Sequence, residues 1–243
     1  MNLLIDMGNT RLKWAVTTAG HIMTGLPLVN SRINRDELIK LWQGRYRPRR
    51  IVVSCVSANQ LLELVQSIAR ELWLDVDIIL VKSQAQAFGV INAYEQPEKL
   101  GVDRWLALVA AWQQYHRPVC IVDCGTAITV DLIDGDGRHR GGLISPGLTL
   151  MKKSLGLGTE VLPFSESNYV FGLSNNTEAA IYSGTLAAAV GLIELVLAKQ
   201  SPNIQLILTG GDGEFIAGQL NVEAIVDPDL VLRGLLCVLE GHT

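Results

Sequence analysis

The stretch Ile121-Val122-Asp123-Cys124-Gly125-Thr126-Ala127 repeats a phrase already spelled near the N-terminus as Leu4-Ile5-Asp6-Met7-Gly8-Asn9-Thr10. Lys13 follows the first copy; Thr129 and Asp131 follow the second. Each copy is an apolar run ending in aspartate, then a glycine beside a hydroxyl residue, then another β-type run. That order predicts a strand, a tight turn and a returning strand. Glycine lets backbone N–H groups approach an anion, and the hydroxyls and Lys13 add further donors. An aspartate at a strand end can hold a hydrated cation beside the same anion. Two such turns facing each other would clamp the phosphates of a nucleotide between two halves of a molecule, which points to phosphoryl transfer.

One Asp-Gly turn is commonplace in hairpins; the second copy shifts the balance toward function. Neither copy fits GxxxxGK[ST] or GxGxxG, so neither a P-loop nor a dinucleotide fingerprint is supported. The 243 residues are 49% hydrophobic and 18% charged, ample for packed cores, and the repeated phrase divides them into two similar halves. A formal net charge of −4 argues against nucleic acid as a partner. The basic cluster Arg45, Arg47, Arg49 and Arg50 reads as a solvated loop before a strand. Asp6 interrupts the first apolar run and no basic segment precedes it, so no signal peptide is expected. No uninterrupted apolar run approaches the ~18 residues of a membrane span, and no membrane association is expected. Cys55, Cys120, Cys124 and Cys237 lack paired spacing and read as buried, reduced thiols.

Working outward, Leu3–Asp6, Leu12–Thr17 and His21–Leu28 read as antiparallel strands, and Asn34 with Glu37 as a capped helix start. Strand, helix and strand follow at Arg50–Val56, Leu61–Trp73 and Val76–Val81. Ser83–Leu100 is less regular, and a helix opens at Gly101. The second half repeats the order: strands at Val119–Asp123, Ile128–Ile133 and Arg140–Ser145, then a helix after Pro146-Gly147. An irregular stretch follows from Gly156 to Leu173. Asn175 or Asn176 caps a long helix to Leu197, Gln205–Leu208 is a strand, and a final helix spans Leu230–Leu239. The domains are expected at residues 1–116 and 117–243, each an α/β unit whose mixed sheet begins with β-hairpins.

Further groups bear on chemistry. Thr209-Gly210-Gly211-Asp212 alone is a plain strand-to-helix turn; beside two phosphate turns it becomes the natural adenosine contact. Gly101-Val102-Asp103-Arg104 is either an ordinary helix start, Asp103 favouring the macrodipole, or an acid and a base beneath a cleft. Spacing alone leaves those readings level. Gly141-Gly142-Leu143-Ile144-Ser145-Pro146-Gly147 suits close backbone packing or simple turns. His21, His116, His139 and His242 fall in loops or element ends, where a surface role is the default.

DMGNTRLK, LGVDR, DCGTAITVD, GGLISPG, NTEAAIYSG and LTGG, in this order, resemble the type III pantothenate kinases. That family belongs to the acetate/sugar kinase, Hsp70 and actin superfamily. GVDR between the two turns and NTxxA after the second are its more specific marks. The resemblance implies the actin/ribonuclease H-like fold, two domains with the active-site cleft between them, and ATP-dependent phosphorylation of pantothenate in coenzyme A synthesis. It implies that Asp6, Met7, Gly8, Asn9, Thr10, Arg11, Leu12 and Lys13 form the first phosphate loop. Thr126, Thr209, Gly210 and Gly211 would complete the ATP contacts. Asp103 would be the general base, with Tyr94, Gly101, Val102, Arg104 and Thr177 binding substrate beside it. Asp6 would organise Mg²⁺, in direct contact or through water, and Asp123 would hold K⁺ or NH₄⁺. A cytoplasmic homodimer is also implied. The rival reading is an actin-like or transcriptional accessory protein that binds nucleotide without phosphorylating a metabolite.

Overall fold

The structure is a computed structural model that describes residues 1–44, 46–56, 59–159 and 162–241. Arg45 and His242, named above, lie outside the described residues. The chain forms two compact units, Met1–His116 with Asp229–Thr243, and Arg117–Pro228.

In the first unit β1 (Asn2–Met7) pairs antiparallel with β2 (Arg11–Thr18), which pairs with β3 (His21–Thr24) and with β4 (Leu28–Val29). On its other side β1 runs parallel to β5 (Arg50–Cys55), and β5 to β6 (Asp77–Leu80), giving the order β3-β2-β1-β5-β6. The single strand expected over His21–Leu28 is broken. Gly25 donates its N–H to Trp14 O at 2.9 Å, and a Cβ there would lie 2.0 Å from the Trp14 ring. Side chains alternate across the sheet. Leu3, Ile5, Met7, Leu12, Trp14, Ile51 and Val53 form one core with Leu38 and Trp42 of α1 (Arg35–Trp42) and Val65 and Ile68 of α2 (Asn59–Leu72). Helix α1 starts as its sequence implies, with the Asn34 side chain accepting from Glu37 N–H at 3.0 Å.

The opposite face of this sheet is covered by α3 (Val102–Tyr115) and α7 (Leu230–Gly241). The last helix was expected in the second half, but its residues return to the first unit. Gly234 is the reason: a side chain there would sit 2.3 Å from Leu106 O, so only glycine lets α7 lie this close to α3. The irregular segment contains a small hairpin of β7 (Gln86–Ala87) and β8 (Val90–Ile91), turned at Phe88 and Gly89, both at positive φ.

The second unit repeats the order. β9 (Val119–Cys124) pairs antiparallel with β10 (Ala127–Ile133), β10 with β11 (His139–Pro146), and β9 runs parallel to β12 (Gln205–Thr209). With β13 (Ile225–Val226) the sheet reads β11-β10-β9-β12-β13, strand for strand the order of the first. Cys120, Val122, Ile128, Val130, Leu206 and Leu208 form a core with Tyr182, Leu186, Ala189 and Ile193 of α5 (Thr177–Leu197) and Ile216 of α6 (Gly213–Ala217). The remaining helix, α4 (Leu148–Gly158), buries no side chain fully. This duplicated mixed sheet, hairpin first and parallel strands after, is the actin/ribonuclease H-like fold.

Helix α5, 21 residues long, is apolar enough to cross a membrane by length and composition, a test that a core helix also passes, and its Tyr182, Ser183 and Thr185 are buried. Its inner stripe is engaged in the core just described. His139 is not a surface residue: it is buried, its Nε2 lying 2.8 Å from Asp131 Oδ1. The tight turn after β10 and a register shift between Asp131 and Ile133 fold it back onto that carboxylate. Of the four thiols, Cys120 and Cys124 are buried, and desolvation pushes each up to about 12; Cys55 and Cys237 are only partly covered.

Candidate active site

Strand pairing alone assembles the first cluster. The register sets Asp6 opposite Lys13 on β2 and opposite Ser54 on β5, so these three side chains share the sheet face that carries α3 and α7. The Ser54 hydroxyl donates to Asp6 Oδ1 at 2.5 Å. Helix α3 brings Asp103 over the same face, near enough for its charge to act on Asp6. Burial, above all, and then the Asp103 carboxylate push the Asp6 pKa up to about 6, against the pull of Ser54 and Lys13. Two carboxylates, one ammonium and one hydroxyl therefore meet at the carboxyl end of the central strand.

The turn beyond Asp6 is braced. Gly8 N–H donates to Arg11 O at 3.1 Å, and the Asn30 side chain donates to Gly8 O at 2.8 Å. Asn9, Thr10 and Arg11 are exposed at its tip, with Lys13 partly so. Met7 and Leu12 face the other way, fully buried, so any contact they make with a ligand is through the backbone.

The Gly101–Arg104 group lies at the start of α3. Asp103 Oδ1 accepts from Arg104 N–H at 2.8 Å and would lie 2.6 Å from a Cβ placed on Gly101. Glycine thus makes room for the carboxylate. Arg104 is buried rather than solvated, 7% exposed. Its Nη1 donates to Tyr94 OH at 2.8 Å, with the guanidinium 5.7 Å from the ring centroid.

In the second unit Asp123 repeats the place of Asp6. The register sets it opposite Thr129 on β10 and Thr209 on β12. Three turns meet around it. Gly125 N–H donates to Ala127 O at 3.0 Å, Gly147 N–H to Thr126 O at 2.9 Å, and Asp212 N–H to Cys124 O at 2.9 Å. A Cβ on Gly147 would lie 2.1 Å from Gly125 O, and one on Gly210 would lie 2.4 Å from Asp123 Oδ1. Gly210 also has φ of +86°, so it needs glycine twice over. Thr126 and Gly211 are exposed, while Thr209 is buried and its Oγ1 has no hydrogen-bond partner. Thr177 is exposed in the first turn of α5, after Asn176, whose side chain accepts from Ala179 N–H at 3.0 Å.

Residues 2–199 match the family model described as type III pantothenate kinase. The chain belongs to this family. It is 39% identical to the type III pantothenate kinase of Halorhodospira halophila, over 97% of this chain and 96% of that one. It is 36% identical to that of Nitrosococcus oceani, over 99% and 94%. A solved structure from Campylobacter jejuni, described as a candidate Baf family transcriptional activator, shares the fold with a TM-score of 0.63. It is 22% identical and covers 99% of this chain and 98% of its own.

For a type III pantothenate kinase, the sequence motifs omit several residues that build the site. Ser54 was legible only as a hydroxyl inside an otherwise apolar strand. Asn30 left no signal because its partner, Gly8 O, lies 22 positions earlier, and Asn92 none because its partners, Gln84 O and Pro97 O, sit in a segment of irregular backbone. Gly147 was visible within Gly141–Gly147, yet nothing local said that its neighbour would be the Gly125–Thr126 turn.

Proposed function

We propose that this chain transfers the γ-phosphoryl group of ATP to the primary hydroxyl of pantothenate, giving 4′-phosphopantothenate for coenzyme A synthesis. The observation that carries this reading is the meeting of Asp103 with Asp6 and Lys13 on one sheet face, with Arg104 buried beside it. An accessory nucleotide-binding protein has no use for that group at a helix start. The family membership supports the substrate.

In this reading the loop Asp6–Lys13 takes the phosphates, Thr10 and Lys13 supplying side-chain donors. Thr126, Thr209, Gly210 and Gly211 contact the nucleotide. Asp103 accepts the proton of the pantothenate hydroxyl as its oxygen bonds to the γ-phosphorus and the bond to the ADP oxygen breaks. Arg104, oriented by Tyr94, forks onto the substrate carboxylate, and Gly101, Val102 and Thr177 complete the substrate contacts. General-base assistance of this kind contributes ~10²–10⁴-fold.

The donors also suit the cations. Among the described residues no three His, Cys, Asp or Glu side chains gather around one point. Mg²⁺ would instead be held by Asp6 with water and phosphate oxygens, as this ion commonly is. It would neutralise phosphate charge when bound. Asp123, with the unpartnered Thr209 hydroxyl in register, offers oxygen donors to K⁺ or NH₄⁺. A cytoplasmic homodimer completes the proposal, and exposed Leu143, Ile144 and Leu195 give the second unit apolar surface to cover. The deciding experiment measures ADP release with and without pantothenate, and with K⁺ present or replaced by Na⁺. ADP release independent of pantothenate would refute the assignment.

A further inference from the structure

Asn92 follows β8 and uses its whole side-chain amide on backbone. Its Nδ2 donates to Gln84 O at 3.1 Å and to Pro97 O at 3.2 Å, and its Oδ1 accepts from Tyr94 N–H at 3.0 Å. Its own N–H donates to Ala85 O at 2.9 Å, extending the small hairpin. One amide therefore ties together the start of the segment, its middle and the 3₁₀ turn Pro97–Lys99 that leads into Gly101. Tyr94, held through its N–H, has a hydroxyl that accepts from Arg104. The chain of contact runs from the Asn92 amide to the Tyr94 backbone, and from the Tyr94 ring and hydroxyl to the Arg104 guanidinium.

We infer that Asn92 is a positioning residue for substrate: it fixes the Tyr94 segment so that Tyr94 holds Arg104 in place for the substrate carboxylate. The inference rests on the pantothenate reading above. Only asparagine matches these partners, with two donors and an acceptor on one short planar group. Aspartate would set a carboxylate against the Gln84 and Pro97 carbonyl oxygens. Serine could satisfy one partner of three. Asn92 touches neither the phosphate loop nor, in this arrangement, the substrate, so its effect must pass through Tyr94.

The test is a double-mutant cycle on the full-length enzyme with Asn92→Ala, Tyr94→Ala and the double variant, reading KM for pantothenate, KM for ATP and kcat. Asn92→Ala is expected to raise the pantothenate KM about tenfold, a coupling of ordinary size for contacting residues, with the ATP KM within about twofold. In the Tyr94→Ala background the same substitution should change the pantothenate KM by less than about twofold. Asn92→Ser serves if the alanine variant fails to fold, with the same pattern expected. Additive effects in the two backgrounds, or equal rises in both KM values, would overturn the inference. Wild-type enzyme that turns over no pantothenate would instead overturn the functional reading beneath it, so the two failures are distinguishable.

Discussion

Ser54 stands opposite Asp6 in the parallel β1–β5 register, and its hydroxyl donates to the Asp6 carboxylate across 2.5 Å. The bond favours the charged carboxylate in a setting where burial and Asp103 oppose charge. Ser54→Ala should therefore raise the Asp6 pKa further, and the acid limb of kcat/KM for MgATP should move to higher pH. Higher Mg²⁺ should move it back, because the cation competes with the proton. A pH–rate profile in both proteins checks this, and a limb that stays put would remove Asp6 from the acid-side titration.

The same carboxylate carries a stability cost. Its pKa is raised from 3.8 to about 6 on folding, so the folded protein binds this proton more tightly than the unfolded chain. The penalty is absent below pH ~4, grows as pH rises through about 6, and is full above that. Asp6→Asn should accordingly stabilise the ligand-free protein at pH 8, on the order of 1–3 kcal/mol, with no gain near pH 4. Thermal melts at the two pH values measure it. The variant should also lose phosphoryl transfer, which is the trade expected where a destabilising group is kept for function.

The close approach of Gly101 to the Asp103 carboxylate tests the proposed general base. Asp103→Asn should leave the melting temperature nearly unchanged and lower kcat by ~10²–10⁴-fold. Gly101→Ala should approach that loss without touching the carboxyl chemistry, since its Cβ would claim the space 2.6 Å from Asp103 Oδ1. Steady-state kinetics of both variants decide the matter, and full activity in Gly101→Ala would show that the carboxylate has another productive position.

Much of this arrangement could be read from the chain. The paired Asp-Gly phrases foretold two hairpins, and Asn34 and Asn176 cap the helices their positions suggested. Local chemistry carries such signals because strand, turn and cap residues act on near neighbours. What escaped depends on contacts between distant residues. Gly234 makes the last helix a partner of α3 only because Leu106 lies more than a hundred positions earlier. Arg104 could be placed at a helix start, but its burial needs Tyr94, presented by a hairpin whose Phe88-Gly89 turn lacks the usual Asn-Gly or Asp-Gly signature. His139 lies after a turn-rich sequence, and only the strand register reveals Asp131 beside it. The motif residues Met7 and Leu12 show the converse: membership in a motif did not say which way a side chain faces.

Gly210 tests the second unit. Alanine there would combine an unfavourable φ of +86° with a Cβ 2.4 Å from Asp123 Oδ1 and 2.5 Å from Cys124 O. Backbone strain of this type costs ~1–3 kcal/mol, and the steric clash adds to it. Gly210→Ala is expected to lower the melting temperature and weaken ATP binding, whereas Gly211→Ala, with open space around its Cβ, should keep its stability. Calorimetric titration with a non-hydrolysable ATP analogue, alongside melting curves, separates the two variants.

Asp123 and Thr209 lead to the last expectation. The Thr209 hydroxyl is buried without a hydrogen-bond partner, an arrangement that ordinarily costs ~1–3 kcal/mol, and the register aligns it with the Asp123 carboxylate. A monovalent cation held by Asp123 would give that oxygen a partner and offset the cost. K⁺ should therefore raise the melting temperature of the ATP-bound protein more than Na⁺ does, and turnover should collapse in sodium-only buffer and return with K⁺ or NH₄⁺. Asp123→Asn should flatten both responses, and Thr209→Val should blunt the K⁺-dependent shift while removing the unpaired hydroxyl. Identical melting curves and rates in the two salts would leave Asp123 without a cation to hold, and its role would then have to be sought in the turn contacts around Gly125 and Gly210.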